Sequence, residues 1–213
     1  MRTNRKERAP LSMLTIFFTL IFSISFVLML CISDYVYAGE PKPKLRNPPA
    51  KVPQTGQTIS YADGDDGYFQ MGVPWPEPRF TDQGDGTVTH NLTGLMWTKN
   101  ASQFEIYPAK VWPDAVTACY DLFFAGYDDW RLPNLRELHS LIDYGNHTPA
   151  LPADHPFTDV QDYFYWSSTY WSSTTPPFIW PTPYAWGVRL GDGYVMPAGH
   201  EYTFYVWCVR GGN

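Results

Sequence analysis

The chain has 213 residues, with 21 acidic against 15 basic side chains and a formal net charge of −6. Nucleic acid is held by neutralising its phosphates with Lys and Arg, so this balance excludes it as a partner and makes strongly sulfated polyanions a poor match. Aromatic residues reach 17%, well above an ordinary domain, so much of the core must be built from rings.

Arg2, Arg5, Lys6 and Arg8 precede an uncharged apolar run from Leu11 to Ile32, and Val36-Tyr37-Ala38 closes it with a small residue. This is the layout of a secretory signal. The run is also long enough to span a bilayer, so residues 1–38 read as a signal peptide or a retained membrane anchor. In both cases the basic cluster stays inside and the remainder is exported, to the periplasm, the cell surface or the medium. Membrane contact is expected through this segment alone. Its loss removes four basic and two acidic residues, taking the net charge from −6 to −8. Residues 39–58 hold Pro41, Pro43, Pro48, Pro49 and Pro53 among lysines and read as an extended tether. Residues 59–213 are then one domain, long enough for a substantial core.

The domain opens with turn signals at Asp63–Gly67 and Pro74–Pro78. Gly86-Thr87-Val88-Thr89 and Leu95-Met96-Trp97-Thr98 predict a hairpin about the loop His90–Gly94. Trp112, Ala115, Val116, Cys119 and Leu122 recur at helical spacing, with Pro113 suited to the first turn. A second helix is predicted from Asn134, with Glu137 in capping-box spacing and Leu135, Leu138, Leu141 and Ile142 as its buried face. Between them lies Trp130-Arg131-Leu132-Pro133. Strands follow at Tyr165–Thr169, at Tyr184–Leu190 turning through Gly191-Asp192-Gly193 into Tyr194–Met196, and at Tyr202–Val209, where Tyr202, Phe204, Val206 and Cys208 share a face. Trp97, Trp112, Trp130, Trp166 and Trp186 are expected in the core.

Past residue 38 two cysteines remain, Cys119 and Cys208, and in an oxidising compartment a lone pair most simply forms a disulfide. Catalytic or copper-binding thiols would need exposure, whereas Cys119 falls on an apolar stripe. The Ser/Thr/Pro stretch between Tyr170 and Pro183 carries Trp171, Phe178 and Trp180, with Tyr184 beside it. A loop of that length is often a binding loop, and these four rings are the candidate ligand-binding residues; the competing account is that they pack the loop down. Asp82 and Asp85, ahead of Gly86, loosely suit calcium, but a β-turn held by aspartate side chains is the preferred account. No other metal or cofactor is indicated. The five histidines lack metal-ligand spacing, and Ser167-Ser168 lacks the strained elbow of a serine nucleophile, so no catalytic residue is assigned.

Four stretches in order carry a family resemblance: Gly86–Thr89 with Asn91–Trp97; Ala125-Gly126-Tyr127 through Asp129–Asn134 with Glu137-Leu138; Tyr165–Thr169; and Cys208-Val209-Arg210-Gly211-Gly212. They resemble the Lcl C-terminal domain family, exported bacterial proteins. The resemblance implies a C-type-lectin-like α+β fold, distantly similar to formylglycine-generating enzymes, with two helices packed on small antiparallel sheets, a long loop and closure by one disulfide. It implies no catalytic residues. One member tips a collagen-like adhesin that binds polyanionic glycans; this chain is acidic and has no Gly-x-y repeat. The function expected from the sequence is an exported, non-catalytic binding domain at the cell envelope, with a glycan or an envelope protein as partner. A structural component of the envelope is the alternative, and a formylglycine-generating-like oxidase would need a reactive cysteine pair.

Overall fold

The computed structural model describes residues 52–103, 109–171 and 183–211. The apolar N-terminal run, most of the Pro/Lys-rich stretch, Phe178 and Trp180 lie outside the described residues. Where turns alone are expected at the start, one helical turn forms, α1 (Asp66–Phe69), because Asp65 caps it and also accepts from the backbone N–H groups of Tyr61 and Ala62. Strands β1 (Phe80–Asp82), β2 (Thr87–His90) and β3 (Met96–Thr98) follow, then β4 (Ala109–Lys110), α2 (Trp112–Tyr120), α3 (Leu135–His139), β5 (Phe164–Trp171), β6 (Tyr184–Arg189), β7 (Val195–Gly199), β8 (Phe204–Tyr205) and β9 (Val209–Arg210). The class is α+β with two sheets, ordered β1-β2-β3-β9 and β4-β8-β5-β6-β7.

Both expected hairpins form, with Val88 opposite Trp97 and Val188 opposite Val195. The second sheet departs from the antiparallel expectation in one pairing, β5 with β8, which is parallel through Tyr165 and Tyr205. The final segment departs further. Tyr202–Val209 is not one strand: β8 joins the five-stranded sheet and β9 the four-stranded one, so the backbone passes from sheet to sheet through Val206-Trp207-Cys208. Alternation nonetheless survives the crossing. Phe204, Val206 and Cys208 enter the cluster around α2, while Tyr205, Trp207 and Val209 pack in the other.

Those two clusters lie on opposite faces of the five-stranded sheet. One holds Ala115 and Cys119 of α2 with Phe164, Trp166 and Ala185. The other holds Leu138 of α3, Leu141, Ile142, Tyr165 and Val188, continuous with Val88 and Trp97 of the smaller sheet. Cys119 and Cys208 are joined by a disulfide inside the first cluster, both fully buried. A buried indole brings an N–H that is usually paired: Trp130 donates to Phe124 O, Trp166 to Lys110 O and Trp207 to Thr98 O, as the partly buried Trp112 does to Ser167 O, whereas the N–H of the fully buried Trp97 has no hydrogen-bond partner. Of the expected core rings, Trp97, Trp130 and Trp166 are buried while Trp112 and Trp186 are only partly so, and Trp207, not among them, is buried as well.

Helix α3 is short, ending at His139, so Leu141 and Ile142 reach the core from beyond its end. It owes its start to a capping box. The Asn134 side chain accepts from the N–H groups of Arg136 and Glu137, and Glu137 accepts from the N–H of Asn134. Arg131 grips the same Glu137 carboxylate through two bonds, at 2.7 and 2.8 Å. Asn134→Ala should lower unfolding stability by about 1 kcal/mol, read from denaturant melts; no loss would mean that packing alone sets this helix.

Candidate functional site

A helix ends with carbonyls that lack intrahelical partners. At the end of α3 these are taken by the N–H groups of Ser140, Leu141 and Ile142, and the carbonyls of those three residues are met in turn by a cation from far away in sequence. Arg79, just before β1, donates through Nη2 to the carbonyls of Ser140, Leu141 and Ile142 at 2.9, 2.8 and 3.4 Å. Its guanidinium carbon lies 3.4 Å from the ring centroid of Trp75, and Nη1 is 3.7 Å from Asp143 Oδ2. Burial pulls the Arg79 pKa down to about 10, opposed by Asp143, so the group is charged at neutral pH. His90, stacked 5.8 Å from Trp75, is pushed down to about 3 by burial and then by Arg79, so its ring is neutral.

Residues 52–58 lie as a strap against this corner. Val73 N donates to Val52 O, Gln54 N to Val73 O and Tyr144 N to Thr55 O. Gly56 has φ +90°, and a Cβ there would fall on the Asp143 carboxylate, so only glycine permits the approach. Two cavities adjoin here, sharing Gln54, Thr55 and Trp75 as walls. The larger, about 510 Å3, has an apolar floor of Leu135, Ile142 and Val195, with His139 and Tyr144 supplying polar tips. His139 Nε2 and Tyr144 Oη are 2.9 Å apart; burial lowers the histidine pKa and raises that of the tyrosine. Gly193, at φ +78°, packs on Ile142 and Tyr144, so the β6–β7 turn abuts the cavity wall. The smaller cavity, about 310 Å3, is the more polar of the two, with Gln54, Gln57, Gln70, Glu77, Asp143, Asp154 and Arg79 among its walls. Both volumes are of ligand-pocket size.

The rings singled out from the sequence sit elsewhere. Trp171 is the last residue of β5, not part of a loop, and stands opposite Tyr184 at the start of β6, their ring centroids 5.5 Å apart. Strand alternation puts Tyr184 on the β6 face that carries Val188, and Val188 pairs with Val195 on the floor of the larger cavity. The aromatic pair and the cavity therefore share one face of the sheet, roughly 13 Å apart along β6 at the usual strand rise. Phe178 and Trp180 are outside the described residues. Asp82 is taken up by Lys99 at 2.7 Å and by the N–H of Gly84, and Asp85 by the N–H and hydroxyl of Thr87, which is the turn geometry that competed with calcium. Among the described residues no group of three or more His, Cys, Asp or Glu is placed to hold a metal ion.

The family model of the Lcl C-terminal domain matches residues 86–210, more than half of the chain. The chain belongs to that family. No curated protein matches it. Within the Lcl C-terminal domain the stretches that carry the resemblance are scaffold. Trp130 fills the core, Arg131 exchanges both backbone bonds with Val209 and clamps Glu137, and Arg210 pairs with Asp129 at 2.6 Å. The cavities draw one wall, from Leu135–Tyr144, Pro152, Asp154 and Val195, out of the matched segment; the other, Val52–Arg79, lies ahead of it. Trp75, Arg79, His139 and Tyr144 are not singled out by the sequence. The Pro-Trp-Pro-Glu-Pro run is the available hint: prolines hold a chain open, and a tryptophan among them is poorly placed to be core.

Proposed function

We propose that this chain is an exported, non-catalytic binding domain of the cell envelope, lectin-like in fold, whose ligand is a carbohydrate seated in the groove of the two cavities. Export follows from the basic-apolar-small layout of the first 38 residues. The lectin-like fold rests on the family resemblance, and the α+β class, two small sheets and single disulfide support it. The observation that carries the ligand class is the groove itself, an aromatic and apolar cavity opening beside a hydrogen-bonding one. A sugar ring presents that pair of surfaces, an apolar C–H face and a rim of hydroxyls, and partly exposed rings stack on the former.

A panel of oligosaccharides read by tryptophan fluorescence and calorimetry tests this. Tyr144→Ala and His139→Ala should each weaken binding about tenfold, near 1.4 kcal/mol, because both line the larger cavity. Trp171→Ala should weaken only ligands long enough to run along β6. Affinity unchanged in all three variants would remove the ligand from this face, and no binding across the panel would remove carbohydrate as the class. The envelope-component reading has one surface in its favour: Tyr120 and Phe123, 75% and 73% exposed, at and beyond the end of α2 on the opposite face of the sheet. A stable envelope partner captured by wild type and lost on Tyr120→Ala/Phe123→Ala would favour it.

A further inference from the structure

A buried N–H without an acceptor costs free energy, and an incoming acceptor relieves that cost. Three such donors stand together in the wall of the smaller cavity. Nε and Nη1 of Arg79 and Nε1 of Trp75 are buried without a hydrogen-bond partner, and the guanidinium carbon lies 3.4 Å from the centroid of that indole. Arg79 is only 6% exposed, and Asp143 Oδ2, 3.7 Å from Nη1, is beyond hydrogen-bond length. One unpaired indole N–H is no signal by itself, since Trp97 has one in the core. Three donors on one cavity wall call for an acceptor from outside the chain.

That acceptor is neutral. Asp143 already offsets the charge of Arg79, and a ligand carboxylate or sulfate would join the carboxylates of Glu77, Asp143 and Asp154 in the same wall. A carbonyl oxygen accepts two hydrogen bonds and brings no charge. The neighbouring space decides what the carbonyl carries. Trp75 also walls the 510 Å3 cavity, whose floor is Leu135, Ile142 and Val195, so an apolar substituent on the carbonyl carbon meets apolar surface there. The amide nitrogens of Gln54 and Gln57 are spent on the carbonyls of Gln70 and Ile59, which leaves their oxygens to receive an N–H. Carbonyl, methyl and N–H joined in this way are an acetamido group; a hydroxyl supplies the oxygen without the methyl.

We infer that the boundary of the two cavities, at Trp75, is a subsite for the acetamido group of an N-acetylated amino sugar. This rests on the carbohydrate reading above and narrows it. The carbonyl oxygen is held by the N–H groups of Trp75 and Arg79, the methyl group enters the larger cavity, and the acetamido N–H turns to the glutamine oxygens.

The test compares the β-1,4-linked N-acetylglucosamine tetrasaccharide with cellotetraose on the exported chain, by calorimetry. Both probes are neutral, and they differ only in the hydroxyl that cellotetraose carries at each acetamido position. Wild type should prefer the acetylated probe about tenfold or more. Trp75→Phe keeps a ring under the guanidinium and removes one donor, so it should bring that preference to about threefold or less. Trp112→Phe, the same change in the cluster on the opposite face of the sheet, should leave the preference intact. A third probe, the N-formylated tetrasaccharide, keeps the carbonyl and drops the methyl, and should bind wild type about threefold or more weakly than the acetylated one. Cellotetraose binding as tightly as the acetylated probe overturns the subsite while leaving the carbohydrate reading in place. So does a preference that survives Trp75→Phe or falls equally in the Trp112 control, and so does a formylated probe that matches the acetylated one. Failure of all three tetrasaccharides to bind overturns the subsite and the carbohydrate reading together.

Discussion

Cys119→Ala/Cys208→Ala should cost about 4–5 kcal/mol of unfolding free energy, the largest effect expected of any change described. The bridge spans 89 positions of sequence, and closing a loop of that size removes roughly this much from the unfolded ensemble on the chain-entropy account. For a domain of this length the melting temperature should fall by about 10–20 °C. Alanine is the better probe than serine, because both sulfurs sit inside a hydrophobic cluster where a hydroxyl would go unpaired. The same burial predicts that a thiol reagent fails to label the folded, non-reduced protein. The decisive comparison is denaturant unfolding of wild type with and without reductant beside the double variant. A loss below 1 kcal/mol would mean that the tie from α2 to the last strands is redundant with packing.

Arg79→Met should cost about 3 kcal/mol, and the cost should be partly reversible at a second site. The methionine keeps much of the volume but strands three carbonyls at the end of α3 and leaves Asp143 without its cation. Removing one partner of a buried pair costs about 3–5 kcal/mol, most of it from the charge left behind. Asp143 also accepts from the N–H of Gly145 at 2.8 Å, which eases its isolation and sets the estimate at the low end. Adding Asp143→Asn to Arg79→Met should therefore recover about 1–2 kcal/mol, a coupling that a double-mutant cycle measures directly. Trp75 emission should shift as well, because the guanidinium no longer covers its ring. Additive single-variant effects would show that Arg79 acts on the carbonyls alone.

What the sequence discloses and what it withholds divide along the range of the interactions. The capping box at Asn134, the hairpin about His90–Gly94 and the helical stripe bearing Cys119 are all written within a dozen residues, and all are found in place. The alternation that sends Phe204, Val206 and Cys208 one way and Tyr205, Trp207 and Val209 the other is equally local. The break between β8 and β9 is not, because it depends on which sheet has a free edge at each point. Nor is the groove. Arg79 and the carbonyl of Ser140 stand 61 positions apart, and nothing in either neighbourhood announces the other. Trp171 reads as part of a loop because serines, threonines and prolines dominate the residues after it, yet the pairing of β5 with β6 extends to that ring. Composition marks where rings are plentiful without marking which of them line a cavity.

The strap at residues 52–58 contributes no residue to either hydrophobic cluster, yet it supplies walls to both cavities. Exchanging Gln54 or Gln57 alters what the groove can hold and leaves the membership of both clusters unchanged. Part of the selectivity can thus change without touching the core, and a new preference can arise by drift in a short, half-buried stretch. A fragment trimmed to residues 86–210 would keep most of the scaffold and lose the Val52–Arg79 wall of both cavities.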